Sequence, residues 1–301
     1  MLYTVRDRAR RALHAWRCRA VWSTAPMQAG DVSSGLELVT QLGRRDLLMY
    51  LIAAKSALRA LGPAQVVQLD DGSLRDEDRG TLAAHLPGSR CLPIAGIDTG
   101  SCPRGGTWER LCHILDRAAD RYVIQLDADT LACDSLDAVR DCVAANRPFA
   151  LGTRLGRAPV PAIAAPQAAA AGSAHVQHAA EHVLAAMPGA GELRYIRGSS
   201  GFAGFARGGF QRARLDQFSR DMAATLGARW REWGTEQVAS NFVVANSPNA
   251  VVLPFPDYAC YDPDLDVAGS RFLHFVGTHR FAGGVYGARS RRVLDRLPRR
   301  R

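Results

Sequence analysis

The chain has 301 residues, 38 Lys+Arg against 29 Asp+Glu for a net charge of +9, and 47% apolar against 22% charged residues. These globular proportions exclude a mainly disordered chain, and a chain of this length buries enough surface to fold without a disulfide or structural metal. No apolar run approaches the roughly 20 residues of a spanning helix, and the Arg-rich N-terminus lacks the apolar core of a secretory signal.

Seven scattered cysteines with no Cys-x-x-Cys pair fit neither a disulfide framework nor a zinc site, so a reducing, cytoplasmic setting is expected. Lys55 is the only lysine, so the positive charge is arginine, suited to phosphates, anionic lipid or nucleic acid. No nucleic-acid recognition motif accompanies it, and no specific nucleic-acid partner is expected. Residues 1–34 read as a basic leader, with Arg6, Arg8, Arg10, Arg11, Arg17 and Arg19 interleaved with Leu13, Trp16 and Trp22. A helix lying peripherally on the inner face of an anionic membrane fits this pattern. A solvated helix or arm fits it too and is favoured.

From Gly35 onward strands and helices alternate. Strands are expected at 36–42, 64–69, 91–95, 122–126 and 149–153, with helices at 46–61, 75–85, 107–119 and 135–145. The Ala/Pro-rich stretch 157–173 reads as a loop. Helices follow at 173–187, 210–228 and 235–245, a Gly-punctuated extended segment at 195–205, and strands at 250–253 and 272–276. This alternation predicts an α/β fold with a mainly parallel sheet flanked by helices. Ligands bind such sheets at the carboxyl ends of strands, and two acidic turns fall there: Asp70-Asp71-Gly72-Ser73 and Asp127-Ala128-Asp129.

In YVIQLDADT, carboxylates at i and i+2 beyond a strand end can converge on one hard divalent cation. Only this Asp-x-Asp directly follows a buried apolar strand, with a helix expected after it, so metal binding is favoured over a helix cap. The Asp262–266 series lacks the Gly and Glu of a calcium loop; Val267 and Leu273 hold those positions. In FLHFVGTHRF, His274 can complete a metal site and Arg280 can neutralise phosphate oxygens; a satisfied core histidine stays equally open. His175, His178 and His182 share a helix face and read better as a solvated or pairing face. Glu236 opens a helix beyond Trp230 and Trp233: either a cap, or a carboxylate reaching an acceptor hydroxyl beside an indole platform for a sugar. Arg104 and the helix start at 103–108 could hold an anion or form a surface turn. No P-loop or dinucleotide fingerprint occurs.

Together, VVQLDDGS, YVIQLDADT, RGSSGFAGFARG, GTEQVASNF and HFVGTHRF resemble the ordered motifs of GT-A-fold, nucleotide-sugar glycosyltransferases. The resemblance implies donor contacts from Asp70, Asp71, Asp127, Gly201 and Arg280, and Arg104, from the helix start at 103–108, is a further donor-binding candidate. It implies a metal, Mn or Mg, on Asp127, Asp129 and His274, and an acceptor contact from Gln237; Trp230 and Trp233 are acceptor candidates as the indole platform, though a packing role is favoured for that pair. The His-x-x-Gly-x-x-Arg ending resembles glycogenin-like retaining enzymes, with Arg280 in the place of a lysine. Asp70-Asp71-Gly72-Ser73 resembles the large inverting family, for which Glu236 is the candidate base. Residues 35–285 would be one catalytic domain, with a nucleotide-binding half at 35–154, a loop and helix at 155–190 and an acceptor half at 191–285, followed by a basic tail at 286–301. The donor would be a nucleotide sugar, UDP-linked by preference, and the acceptor a glycan, lipid-linked or small molecule.

Three other protein classes share parts of this pattern. A haloacid-type phosphatase needs Thr or Val where Leu131 stands and a downstream lysine that the chain lacks. A sugar-phosphate nucleotidyltransferase needs a Gly-rich basic loop after the first strand, which TQLGRR matches poorly. A non-catalytic nucleotide- or sugar-binding protein on the same scaffold is the main alternative.

Overall fold

The computed structural model describes residues 2–168 and 174–300, without the side chains of residues 2–7, 168 and 278. It divides into two compact units: residues 1–93, 126–137 and 256–301 in the first, 94–125 and 138–255 in the second.

In the first unit, Leu36–Leu42, Gln65–Asp70 and Arg90–Pro93 are adjacent parallel strands, with Leu38 opposite Val66 and Leu42 opposite Asp70. All six residues of Gln65–Asp70 are buried, as a parallel strand covered on both faces requires. Helix Leu47–Leu61 joins the first two strands. It stops at Gly62, whose φ of 93° is open to glycine and whose N–H bonds the Leu58 carbonyl. Ser56 Oγ on this helix accepts the Ala132 N–H at 3.1 Å. Ala132 lies in a small three-stranded sheet, ordered Tyr258–Cys260, Phe272–His274, Thr130–Ala132.

The sequence reading missed two of these strands. The sequence places only a helix, at 135–145, after the Asp127–Asp129 turn; a strand at Thr130–Ala132 intervenes, and the helix spans Asp137–Ala144. Three residues are too few to show a period, and the strand exists because Phe272–His274 pairs antiparallel with it.

The leader is helical over Leu2–Cys18 and continues as a 3-10 turn over Arg19–Ser23. Its His14 stacks on Tyr286 of helix Val285–Asp295 at 4.2 Å. The buried Lys55 ammonium donates to Thr24 Oγ1 (2.8 Å) and the Ala25 carbonyl (2.6 Å), tying the leader to Leu47–Leu61.

In the second unit the strands run in the order Val251–Val252, Phe149–Leu151, Ser199–Phe205, Tyr122–Leu126. The first pair is parallel and the second antiparallel. Helices Trp108–Arg117, Val176–Ala186, Arg212–Leu226 and Thr235–Ala245 surround an aromatic core that includes Phe218 stacked on Phe242 at 4.0 Å. Gly204 lies where any Cβ would collide with the Phe149 ring and the Tyr122 hydroxyl. Part of the loop expected at 157–173 is ordered: Val160–Pro161 pairs with Arg194–Tyr195, and Ala162–Ala168 is a 3-10 helix. Residues 169–173 of that loop lie outside the described residues.

Candidate functional site

Asp127 and Asp129 follow strand Tyr122–Leu126 in a turn closed by Thr130, whose N–H and hydroxyl both donate to the Asp127 carbonyl (3.2 and 2.7 Å). Pairing of His274 opposite Thr130, with the Phe275 N–H on the Asp129 carbonyl at 2.9 Å, brings the imidazole to the carboxylates. His274 Nε2 lies 3.3 Å from Asp129 Oδ1 and 3.6 Å from Asp127 Oδ2. One ligand atom from each of the three residues lies within 4.8 Å of the others, the one such group among the described residues. Arg280 Nη2 holds the other Asp129 oxygen, Oδ2, at 2.6 Å, while its Nε donates to the Phe275 carbonyl at 3.0 Å.

The charges are mutually adjusted. Burial alone would raise the Asp129 carboxyl, but the His274 charge, its hydrogen bond and Arg280 hold it below the usual carboxylate range. Burial alone would lower His274, but Asp129 raises it well above the ordinary histidine value, with Cys260 adding to the effect. Both shifts come from the same close pairing of the imidazole with Asp129. Two carboxylate oxygens and one imidazole nitrogen are a donor set that suits a divalent cation. By this chemistry the residues fit a metal.

The second acidic turn stands at the same edge of the first unit. Leu42 pairs with Asp70, and Thr40 Oγ1 donates to the Leu126 carbonyl at 2.6 Å, so these strand ends are neighbours. Asp70 is buried. Its Oδ1 accepts the N–H groups of Gly72 (2.9 Å) and Leu74 (3.3 Å), and its Oδ2 accepts Arg79 Nη2 at 2.6 Å. Burial opposes ionisation, but the Gly72 N–H and Arg79 outweigh it and hold the carboxyl below its ordinary value. Asp70 thus shapes the turn. Asp71 is exposed and spends only Oδ1, on the Ser73 N–H at 2.9 Å. Gly43 faces Asp71 Oδ2 so closely that a Cβ would displace it.

In the second unit the structure corrects two expectations. Glu236 is 2% exposed, not an open carboxylate at a helix start. Its Oε2 accepts the hydroxyls of Thr107 (2.8 Å) and Ser200 (3.2 Å) and lies 3.8 Å from buried Arg110 Nη2. These contacts tie the 105–108 turn to Ser199–Phe205. Trp230 is 1% exposed, donates to Ser219 Oγ at 3.0 Å and packs edge-on against Trp108, so it offers a sugar no face. Only Trp233 of the pair is open, 72% exposed, with His175 edge-on at 6.2 Å.

Arg104 is exposed and donates to the Ile97 carbonyl at 3.2 Å. The Gly105 N–H, a possible anion donor if this start is not simply a surface turn, is taken by both carboxylate oxygens of Glu109 (2.8 and 3.0 Å). Gly201 lies buried within Ser199–Phe205. His175 accepts the Gln177 N–H at its helix start, and His178 meets Arg197 at 3.4 Å.

Gln237 belongs to a chain of polar side chains that sequence reading missed. Buried Glu181 pairs with Arg197 Nε at 3.0 Å and accepts Gln177 Nε2 at 3.0 Å. Gln177 Oε1 in turn accepts Gln237 Nε2 at 3.3 Å. An ionised carboxylate only accepts, so the amide polarity is set in sequence. Gln177 must turn its NH2 to Glu181 and its oxygen to Gln237, and Gln237 must give its NH2 and keep its carbonyl oxygen for another partner. The i, i+4 spacing of Gln177 and Glu181 was the one available signal.

No protein-family model matches the chain, and no curated protein matches it. Solved structures do. The galactosyltransferase LgtC is 14% identical over 87% of this chain and 96% of that one, with a TM-score of 0.48. The WbbM bifunctional glycosyltransferase is 14% identical over 87% of this chain and 50% of that one, with a TM-score of 0.48. Mouse xyloside xylosyltransferase 1 is 11% identical over 82% and 97%, with a TM-score of 0.44.

Proposed function

We propose that the chain is a metal-dependent glycosyltransferase that moves a sugar from a nucleotide-diphosphate sugar, UDP-linked by preference, to a hydroxyl of a glycan, lipid-linked or small-molecule acceptor. The observation that carries this reading is the convergence of Asp127, Asp129 and His274, backed by Arg280, at strand ends that also bear the Asp70-Asp71 turn.

In this reading Asp127, Asp129 and His274 hold Mn or Mg, which when bound supplies Lewis-acid neutralisation of the diphosphate. Arg280, anchored on Asp129 and the Phe275 carbonyl, offers its remaining N–H groups to phosphate oxygens. The exposed Asp71 carboxylate accepts from donor groups of the nucleoside, and Asp70 with Arg79 holds the turn in shape. Arg104 and Gly201 keep donor-side roles, while Trp233 stacks on an acceptor ring and Gln237 binds through its fixed carbonyl oxygen. Glu236 is a positioning carboxylate for the Thr107 turn. In the transfer the bond from the anomeric carbon to the diphosphate oxygen breaks, the bond to the acceptor oxygen forms, and the acceptor hydroxyl's proton passes to the departing diphosphate or to water. Arg280 offsets charge on the departing oxygens.

The test is thermal stabilisation by UDP, GDP and their sugars with and without Mn. Binding to the folded state raises apparent stability. A shift that needs both nucleotide and metal, and disappears in Asp129→Ala, is expected. No shift at saturating ligand would sink the reading. A metal-dependent shift without sugar release from any donor would favour the non-catalytic binding protein instead.

A further inference from the structure

The net positive charge sits at the two ends of the chain. Residues 1–30 carry six Arg and one Asp, and residues 285–301 carry seven Arg and one Asp, giving (6 − 1) + (7 − 1) = +11. The whole chain is +9, so everything between the ends carries 9 − 11 = −2. The fold brings these ends together. His14 stacks on Tyr286, the Ala25 N–H bonds the Pro298 carbonyl at 2.8 Å, and the Arg300 N–H bonds the Ser23 carbonyl at 2.9 Å.

Helix Leu2–Cys18 has two apolar faces. His14 and Cys18 are buried against helix Val285–Asp295. Leu13 and Trp16 lie on the other side, 46% and 61% exposed, with Ala9 and Ala12 on the same face, and Trp22 follows in the next turn at 41%. Exposed Arg8, Arg10 and Arg19 flank the stripe, and the Arg19 guanidinium lies 4.8 Å over the Trp16 ring. Arg299 reaches the same segment, donating to Ser23 Oγ at 3.0 Å and the Ala20 carbonyl at 3.1 Å.

We propose that this surface docks on a lipid bilayer with anionic headgroups. The arginines meet phosphates, while Leu13, Trp16 and Trp22 enter the boundary between headgroups and acyl chains, where indoles are at home. A nucleic acid would use the arginines but leave the Leu-Trp stripe in water, which is why the bilayer is the better occupant. None of the residues of this surface belongs to the metal cluster.

The experiment is co-sedimentation of the full chain with vesicles of phosphatidylcholine alone and of phosphatidylcholine mixed with phosphatidylglycerol, at low and high salt. Binding to mixed vesicles only, weakened by salt, with a blue shift of indole emission, is expected. The Leu13→Ser/Trp16→Ser double variant should lose about tenfold or more in partitioning. Arg8→Gln and Arg10→Gln should each lose about fivefold. All four positions are exposed, so thermal midpoints should stay near the parent value. No partitioning onto mixed vesicles, or partitioning unchanged by Leu13→Ser/Trp16→Ser, overturns the proposal. So does tighter binding to duplex DNA that the double variant leaves intact, since that describes a polyanion surface.

Discussion

Asp129 is held from two sides by positive groups, His274 at 3.3 Å and Arg280 at 2.6 Å, each on a different carboxylate oxygen. That division leaves Oδ1 beside Asp127 and His274 for a cation and commits Oδ2 to the arginine. A comparable division governs Gln237, whose amide orientation descends from a carboxylate two side chains away. In the proposed enzyme, Gln177→Leu should lower kcat about tenfold, the worth of one directed hydrogen bond, with donor KM nearly unchanged. Because Gln177 acts through Gln237, the Gln177→Leu/Gln237→Leu double variant should be no slower than Gln237→Leu alone. Additive losses would show that Gln177 acts by some other route. Glu236 is the contrasting case: its identity invited a catalytic role, but its partners Thr107, Ser200 and Arg110 make it a brace.

Among elements, the long ones were legible and the short ones were not. Strands 36–42 and 122–126 and helix 235–245 lie at the expected bounds, because each carries its own pattern of burial. Thr130–Ala132 and Tyr258–Cys260 have three residues each and form only by pairing around Phe272–His274. The latter strand also places Cys260 Sγ 3.8 Å from His274 Nδ1, a neighbour no spacing rule would suggest. The Gly-rich strand Ser199–Phe205 is a packing requirement as well as a motif. Gly204→Ala should destabilise the fold by about 1–3 kcal/mol, the usual cost of overpacking, since the Phe149 ring and Tyr122 hydroxyl must both shift. Chemical denaturation measures it. A loss below the experimental error would mean that the strand yields more easily than its packing implies.

For the molecule as a whole, the burial of two histidines beside basic side chains creates a pH dependence. Burial lowers His85 to about 4, with Lys55 and Arg300 adding, and lowers His14 to about 4, with Arg11, Arg280 and Arg17 adding. Unfolded histidines titrate near 6.5. Between these values the unfolded chain binds more protons, so stability rises with pH. The contribution is complete above about 6.5 and is lost as pH falls to about 4. Urea unfolding across that window should show the loss, and His85→Gln should reduce its slope. An unchanged slope would show that His85 takes up its proton without opening the fold.

What the sequence determined by itself were features written locally: the α/β alternation, the two acidic turns at strand ends, and the Asp-x-Asp with a strand-borne His and a following Arg. These rest on periodicity and on residues a few positions apart, which need no knowledge of the fold. Only the tertiary structure decided which of these side chains remain free to act. Asp70 and Asp71 are adjacent in sequence, yet one is consumed by Arg79 and two backbone N–H groups while the other keeps an exposed oxygen. Trp230 and Trp233 are three residues apart, yet one is core and one is surface. The reason is physical. A polar or aromatic group is defined chemically by its residue type, but its availability depends on burial and on partners contributed by distant segments, and those appear only when the chain is folded.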